Sequence, residues 1–205
     1  MIDSESEKAE LTLEGLAHDL NNVFQTIGES LELLRGDLKW NKLAGTLQRS
    51  ADHGQRLVQS MLDKKRSSAD AATVIESAVQ FASDYLECVH GPTLEISREV
   101  ETDLRLPGDP AGWERVLVNL FVNAAEAGAK NVEVCASRHE IVVRDDGPGI
   151  SSELLPHIFQ PHVSTKSIMS GLGLYVVQSV VEKHGGAVTA TNLPAGGAQF
   201  GIHLE

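Results

Sequence analysis

Apolar residues recur every three or four positions through the first third of this 205-residue chain. That spacing is typical of a helix that packs along one seam. Gly36 and Asp37 interrupt it, and a second amphipathic helix follows from about Leu43 to Leu62. A short loop between two helices predicts an antiparallel helical hairpin. The first seam consists of Leu13, Leu16, Leu20, Val23, Phe24, Ile27, Leu31 and Leu34.

Two helices by themselves bury their apolar stripes poorly. A second copy of the hairpin would complete a dimeric four-helix bundle, so we predict a homodimer. The alternative is that the hairpin packs on the rest of its own chain. The polar segment 63–70 lies between periodic segments and predicts a boundary, with a hairpin domain at 1–66 and a second domain at 71–205.

The second domain mixes strands with helices, which predicts an α+β fold in which helices cover one face of a single sheet. Asp109 and Pro110 suit the start of a helix that runs to about Ala127. Two more helices are predicted around 73–85 and 172–184. The predicted strands are 93–100, 131–137, 140–144, 187–192 and 199–204.

The formal net charge of −12 argues against a nucleic-acid-binding surface, since such surfaces are basic. No apolar run approaches the roughly 20 residues of a membrane span, and the acidic N-terminus is unlike a signal peptide. Cys88 and Cys135 lack metal-ligand spacing, so reduced thiols are expected. We therefore expect a cytoplasmic protein without a nucleic acid partner and without membrane contact from this chain.

Asn119 and Asn123 are four residues apart and share one face of a predicted helix. The neighbouring residues are apolar, and amides beside an apolar face need polar partners. An amide oxygen is a hard ligand that suits Mg²⁺ shared with phosphates. Taken alone, a pair of surface asparagines is the simpler interpretation.

Two glycine-containing clusters follow. At 145–149 (DDGPG), glycines after a strand let backbone approach a flat ligand, and Asp145 could accept a hydrogen bond from an exocyclic amine. At 170–174 (SGLGL), glycines open a helix whose free N–H groups favour phosphate, and Lys166 adds a positive charge. Taken alone, the first cluster could be a plain turn. The second would be weak evidence by itself, and it lacks the GK[ST] ending of a P-loop.

Taken in order, the clusters resemble the boxes of the GHKL (Bergerat) ATPases, which include histidine kinases, gyrase-type topoisomerases and Hsp90-type chaperones. NLFVNAAEA resembles the N box, DDGPG the G1 box, IFQPHVSTK the F box and SGLGL the G2 box. The resemblance implies a two-layer α/β sandwich with a mixed sheet that binds ATP and Mg²⁺. Asn123 would hold the metal, Asn119 would support it, and Asp145 would read adenine. The implied nucleotide-binding residues are Asn119, Asn123, Asp145, Gly147, Gly149, Lys166, Gly171, Leu172 and Gly173.

Asn119 stands where ATP-hydrolysing relatives place a glutamate that activates water. An amide cannot act as a general base, which favours a phosphoryl donor site over an ATPase. Glu126 stands where many relatives carry a phosphate-contacting lysine, and we expect Lys166 to take that role.

The phosphoryl acceptor is predicted in the hairpin, where HDLNN at 18–22 resembles the H box of sensor histidine kinases. His18 lies two residues from both Leu16 and Leu20, about 200° around the helix, so it should be exposed. Neutral imidazole is a good nucleophile near neutral pH. Asp19 can take its proton or orient the ring, and the resemblance implies that Asn22 positions water for dephosphorylation.

We therefore expect ATP-dependent autophosphorylation of His18 and transfer to an aspartate of a response-regulator receiver domain. Phosphatase activity toward that regulator is a further expectation. The alternatives are a phosphotransfer or scaffold protein with a non-catalytic ATP domain, an anti-sigma-type serine kinase, and an enzyme that acts mainly as a phosphatase.

Overall fold

In the computed structural model, the chain divides into two compact units, Met1–Lys65 and Arg66–Glu205. Lys166 and Gly171 of the predicted nucleotide site lie outside the residues that the structure describes. The described residues are 3–34, 44–45, 47–48, 50–52, 54–55, 58, 68–161, 163 and 172–204.

The first unit is an antiparallel helical hairpin, as the apolar spacing predicts. It begins with α1 (Asp3–Leu34), and the described residues between 44 and 58 are also helical. A β-carbon on Gly54 would overlap the ring of Phe24, and one on Gly28 would lie 3.4 Å from the amide of Gln48. Later positions of α1 therefore contact earlier positions of the second helical segment, so the two run antiparallel. None of the described helices is long and apolar enough to cross a membrane.

The predicted seam of α1 is only partly buried within one chain. Leu31 is 4% exposed, but Leu16 and Val23 are 56% and 54% exposed. The single-chain hairpin covers only one side of the apolar stripe, because the stripe is wider than one partner helix can bury. Part of the predicted seam is therefore exposed in the chain by itself.

The second unit is the predicted α+β sandwich. One mixed five-stranded sheet has the order β2-β4-β5-β7-β6, in which β2 runs parallel to β4 and the other neighbours are antiparallel. A short 3-10 turn, Leu155–His157, follows β5. The elements are β1 (Ser68–Asp70), α2 (Ala71–Cys88), β2 (Glu95–Val100), β3 (Arg105–Pro107), α3 (Pro110–Ala127), β4 (Asn131–Ala136), β5 (Glu140–Asp145), α4 (Gly173–Lys183), β6 (Ala187–Asn192) and β7 (Ala198–His203).

Alternation along the strands places the core between the sheet and its helices. Val132 and Val134 of β4 are buried, whereas the alternate residues Asn131 and Glu133 are exposed. The helices contribute the largest buried side chains, among them Trp113. The other members of this core include Ile75, Leu117, Leu120, Phe121, Ile141, Val143, Val177, Phe200 and Ile202.

The strands β1 and β3 form a second, two-stranded antiparallel sheet that the sequence analysis does not predict. Residues 68–70 end the polar segment that predicts the domain boundary, and they form a strand of the second unit. Ala69 is 2% exposed and is paired with the fully buried Leu106. Asp70 then caps α2 by accepting a hydrogen bond from the Thr73 amide at 2.9 Å.

Candidate nucleotide-binding site

A cavity of about 510 Å³ opens beside the C-terminal half of α3, the start of α4, the end of β5 and the start of β7. Apolar side chains form much of its lining, and a few polar groups, including Asn123 and Asp145, converge on it. This combination is typical of a pocket for a flat organic ligand. The apolar lining includes Ile150, Leu154, Ile158, Leu174 and Phe200.

Asp145, the last residue of β5, has one carboxylate oxygen fixed by backbone. Its Oδ1 accepts hydrogen bonds from the amides of Gly147 at 2.9 Å and Ala198 at 3.3 Å. Its Oδ2 has no hydrogen bond to any described residue. The carboxylate lines the cavity, so it can accept a hydrogen bond from a ligand amine.

The loop after β5 needs glycine at two positions. A β-carbon on Gly147 would lie 2.9 Å from Oδ1 of Asp145. Gly149 has φ of +77°, and a β-carbon there would lie 2.8 Å from Oδ1 of Asn192. Both glycines therefore allow backbone to pass close to side-chain oxygens, and Gly149, though not Gly147, lines the cavity.

Asn192 and Asp146 hold this loop from two sides, and the sequence analysis assigned a role to neither. Asn192 accepts a hydrogen bond from the Ile150 amide at 2.7 Å and donates one to its carbonyl at 2.6 Å. Asp146 accepts hydrogen bonds from the Asn131 side chain and from the amides of Asn131 and Lys130, which lower its pKa to about 2. No sequence signal marks Asn192, because its partner is backbone 42 residues away.

Asn119 and Asn123 lie on α3 as predicted, and both approach Gly173 of α4. A β-carbon on Gly173 would lie 3.0 Å from Oδ1 of Asn119 and 3.6 Å from Nδ2 of Asn123. Asn119 donates a hydrogen bond to the Arg115 carbonyl at 2.7 Å. The buried Nδ2 of Asn123 has no hydrogen-bond partner in the described part of the chain.

The unsatisfied amide of Asn123 fits a role as a metal ligand. Amide oxygen and nitrogen exchange by a half-turn of the side chain, so the same group can present Oδ1 to a hard cation. Within the described residues, no three His, Cys, Asp or Glu side chains group as a metal site. Mg²⁺ held at Asn123 would therefore take its other ligands from phosphate and water, as Mg²⁺ commonly does.

The start of α4 offers backbone donors on the side of Asn119 and Asn123. Leu172 occupies the N-cap position and makes no side-chain capping bond. First-turn N–H groups without intrahelical partners, together with the helix dipole, favour an anion. A phosphate contact from Leu172 or Gly173 would therefore come from backbone N–H groups.

His18 is exposed on α1, as predicted, with 76% of its side chain accessible. Its Nδ1 lies 3.3 Å from Nδ2 of Asn22 and 3.6 Å from Oδ1 of Asp19. Both neighbours approach Nδ1, and Nε2 has no hydrogen-bond partner among the residues that the structure describes.

Comparisons with known proteins point to one family. A family model described as "Histidine kinase-, DNA gyrase B-, and HSP90-like ATPase" matches residues 108–205. The chain is 32% identical over 208 residues to the sensor histidine kinase ZraS of Klebsiella oxytoca, covering 93% of this chain and 44% of that protein. It is 34% identical over 161 residues to the signal transduction histidine-protein kinase AfsQ2 of Streptomyces coelicolor, covering 72% of this chain and 30% of that protein.

The solved structure of a mycobacterial sensor histidine kinase, MprB, superimposes with a TM-score of 0.59 at 26% identity, covering 68% of this chain and 97% of that structure. The chain spans less than half the length of the curated relatives above. The chain therefore belongs to the two-component sensor histidine kinases, of which it comprises a catalytic core with the ATPase-type domain at 108–205.

Proposed function

We propose that this chain transfers the γ-phosphoryl group of ATP-Mg²⁺ to Nε2 of His18. The observation that carries the proposal is the environment of His18, whose Nδ1 faces Asp19 and Asn22 while Nε2 stays open. In the Nδ1–H tautomer, with the Asn22 amide turned so that its oxygen rather than its NH₂ group faces Nδ1, the lone pair on Nε2 forms the new bond to phosphorus. The bond to the bridging oxygen breaks, ADP leaves with that electron pair, and the Nδ1 proton can pass to Asp19.

The pocket supports donation of phosphate rather than hydrolysis. The amide of Asn119 occupies the place of a water-activating carboxylate, and it is held by its hydrogen bond to the Arg115 carbonyl. An amide has no basic lone pair with which to deprotonate water. Asp145 would bind adenine and Asn123 would hold Mg²⁺, with Gly149 and Gly173 in the cavity lining and Gly147 and Leu172 next to lining residues. Lys166 and Gly171, outside the described residues, stay predicted phosphate contacts.

The onward reaction follows from the same chemistry. A phosphoryl group on imidazole is a reactive donor, and the acceptor would be an aspartate of a response-regulator receiver domain. Asn22, in contact with His18, would position water when the phosphorylated regulator is hydrolysed. The cytoplasmic location also stays a prediction.

Autophosphorylation is tested with γ-labelled ATP. We expect the wild type to acquire a label that is lost in acid and kept in base, as phosphoramidates behave, and His18→Gln to acquire none. His139→Gln, in the exposed turn between β4 and β5, is the matched control and should label normally.

An acid-stable label would instead support a serine kinase. The absence of label from the wild type, with ATP still bound, would support the scaffold alternative. Either result contradicts the proposal.

The exposed stripe of α1 supports the predicted homodimer. Leu16, Leu20, Val23 and Ile27 are all at least 36% exposed and follow the four-three-four spacing of a bundle seam. We expect sedimentation equilibrium to give twice the chain mass of 22.1 kDa. Val23→Glu should give one chain mass at micromolar concentration, because it would bury an unpaired charge.

Gln25→Glu is the matched control, since Gln25 is exposed and lies about 200° around the helix from Val23. That variant should stay dimeric. A wild type of single mass, or a Val23→Glu protein that remains dimeric, would contradict the bundle.

A further inference from the structure

Arg115 is a half-buried cation on α3 for which the described structure offers no partner. Its side chain makes no hydrogen bond and no ion pair with any described residue, and burial lowers the pKa of its guanidinium. Partial withdrawal of a guanidinium from water is unfavourable unless other groups replace the lost hydrogen bonds. Such a group is well suited to an anionic ligand.

The position of Arg115 places it on the same stripe of α3 as the two asparagines. Each step of four residues turns a helix by only about 40° beyond a full turn, so 115, 119 and 123 face one side. Arg115 lies about 6 Å before Asn119 and about 12 Å before Asn123 along the axis, at a rise of about 1.5 Å per residue. Asn119 is also bonded to the carbonyl of Arg115, which fixes the two residues relative to each other.

The cavity determines the direction in which a nucleotide would extend. Its lining on α3 begins at Asn123 and continues toward the C-terminus through Ala124, Glu126 and Ala127. A base bound beside Asp145 would fill that end. The polyphosphate would then leave the cavity past Asn123, toward Asn119 and the N-terminal half of α3.

The charges along the stripe favour the same direction. Glu126 lines the cavity, and an ionised carboxylate there cannot donate a hydrogen bond to phosphate. Arg115 is the cation at the other end of the stripe. Its planar guanidinium can donate two parallel hydrogen bonds to one phosphate group.

We propose that Arg115 binds the terminal phosphate of ATP. This inference rests on the proposed function, because it assumes that the cavity holds ATP with its base at Asp145. Arg115 would then help to distinguish ATP from ADP, which lacks the phosphate that it contacts. It would also hold the γ-phosphoryl group where Asn119 and Asn123 organise the metal.

The test compares the affinities of ATP and ADP, measured by titration calorimetry with Mg²⁺. The non-transferable β,γ-imido analogue stands in for ATP. We expect Arg115→Gln to bind this analogue about tenfold more weakly, the effect of losing one charge-assisted contact, while ADP affinity stays within about twofold. Arg115→Lys keeps the positive charge but loses the two parallel donors of the guanidinium. Its affinity for the analogue should lie between those of the wild type and Arg115→Gln.

Arg138→Gln is the matched control, with the same change in charge. Arg138 is exposed in the turn before β5, at the opposite end of that strand from Asp145, and its variant should bind both nucleotides normally. Equal losses for both nucleotides in Arg115→Gln and Arg115→Lys, or no loss in either, would overturn the inference. A wild type that binds neither nucleotide would overturn the proposed function itself, and this inference with it.

Discussion

Replacing Asp145 with Asn lowers the affinity for ATP by roughly 10²- to 10³-fold, the largest loss that we expect from any isosteric change in the pocket. The change keeps the volume and shape of the side chain. It removes the charge and replaces one acceptor oxygen with a donor. The fold should be retained, because Asn can still satisfy the backbone.

The structure determines which atom becomes the donor. The amides of Gly147 and Ala198 both donate to Oδ1 of Asp145, so the amide oxygen of the variant must stay at that position. The NH₂ group then takes the position of Oδ2, the oxygen that no described residue hydrogen-bonds and that is left for a ligand in the cavity. It would meet the exocyclic amine of adenine donor to donor, which adds an unsatisfied group to the loss of a charge-assisted bond.

This reasoning also predicts a change of specificity. Hypoxanthine carries a carbonyl where adenine carries the amine, and the new NH₂ group can donate to that oxygen. We expect the ratio of ATP affinity to ITP affinity to fall in Asp145→Asn, measured by titration calorimetry. Asp103→Asn is the control, since Asp103 lies in an exposed turn after the far end of β2. An unchanged ratio, or a comparable loss in Asp103→Asn, would rule out a direct contact with the base.

The sequence was most informative where function limits the choice of residue. Asn123, Asp145 and Gly173 come from three separated motifs, and the fold brings all three to one cavity. Periodicity located the longer helices and strands because each buries one face. Asp109 and Pro110 predicted the start of α3, and Asp109 does accept a hydrogen bond from Gly112 at 2.7 Å.

Features that depend on distant partners were not predictable from local pattern. The strand at 68–70 has too few residues for periodicity, and its burial depends on pairing with 105–107. All of the α1 seam is apolar in sequence. The sequence pattern does not show which of these residues the second helix of the same chain buries and which it leaves exposed. Asn192 is an ordinary polar residue until the fold places it against Ile150.

Gly197 is the clearest residue of this kind, and its substitution carries the second large prediction. It has φ of +92°, and a β-carbon there would overlap the backbone carbonyl oxygen of Asp145. A left-handed conformation costs an L residue roughly 1–2 kcal/mol. Relieving the overlap must also move backbone at the end of β5 or the start of β7, which we expect to cost about as much again or more. Gly197→Ala should therefore lower the free energy of unfolding by about 3 kcal/mol or more.

Gly196→Ala separates the two contributions. Gly196 has φ of +99°, but the nearest atom to its added β-carbon is 3.8 Å away, an ordinary contact. This variant carries only the conformational cost, and its loss in urea denaturation should stay at about 1–2 kcal/mol. ATP affinity should fall in Gly197→Ala and not in Gly196→Ala, because only the first displaces the backbone of Asp145 and the Ala198 amide that orients its carboxylate. Equal destabilisation by the two substitutions would mean that the backbone of β5 and β7 moves aside at little cost. A carboxylate held by such mobile strands could not be positioned to select the base of a nucleotide.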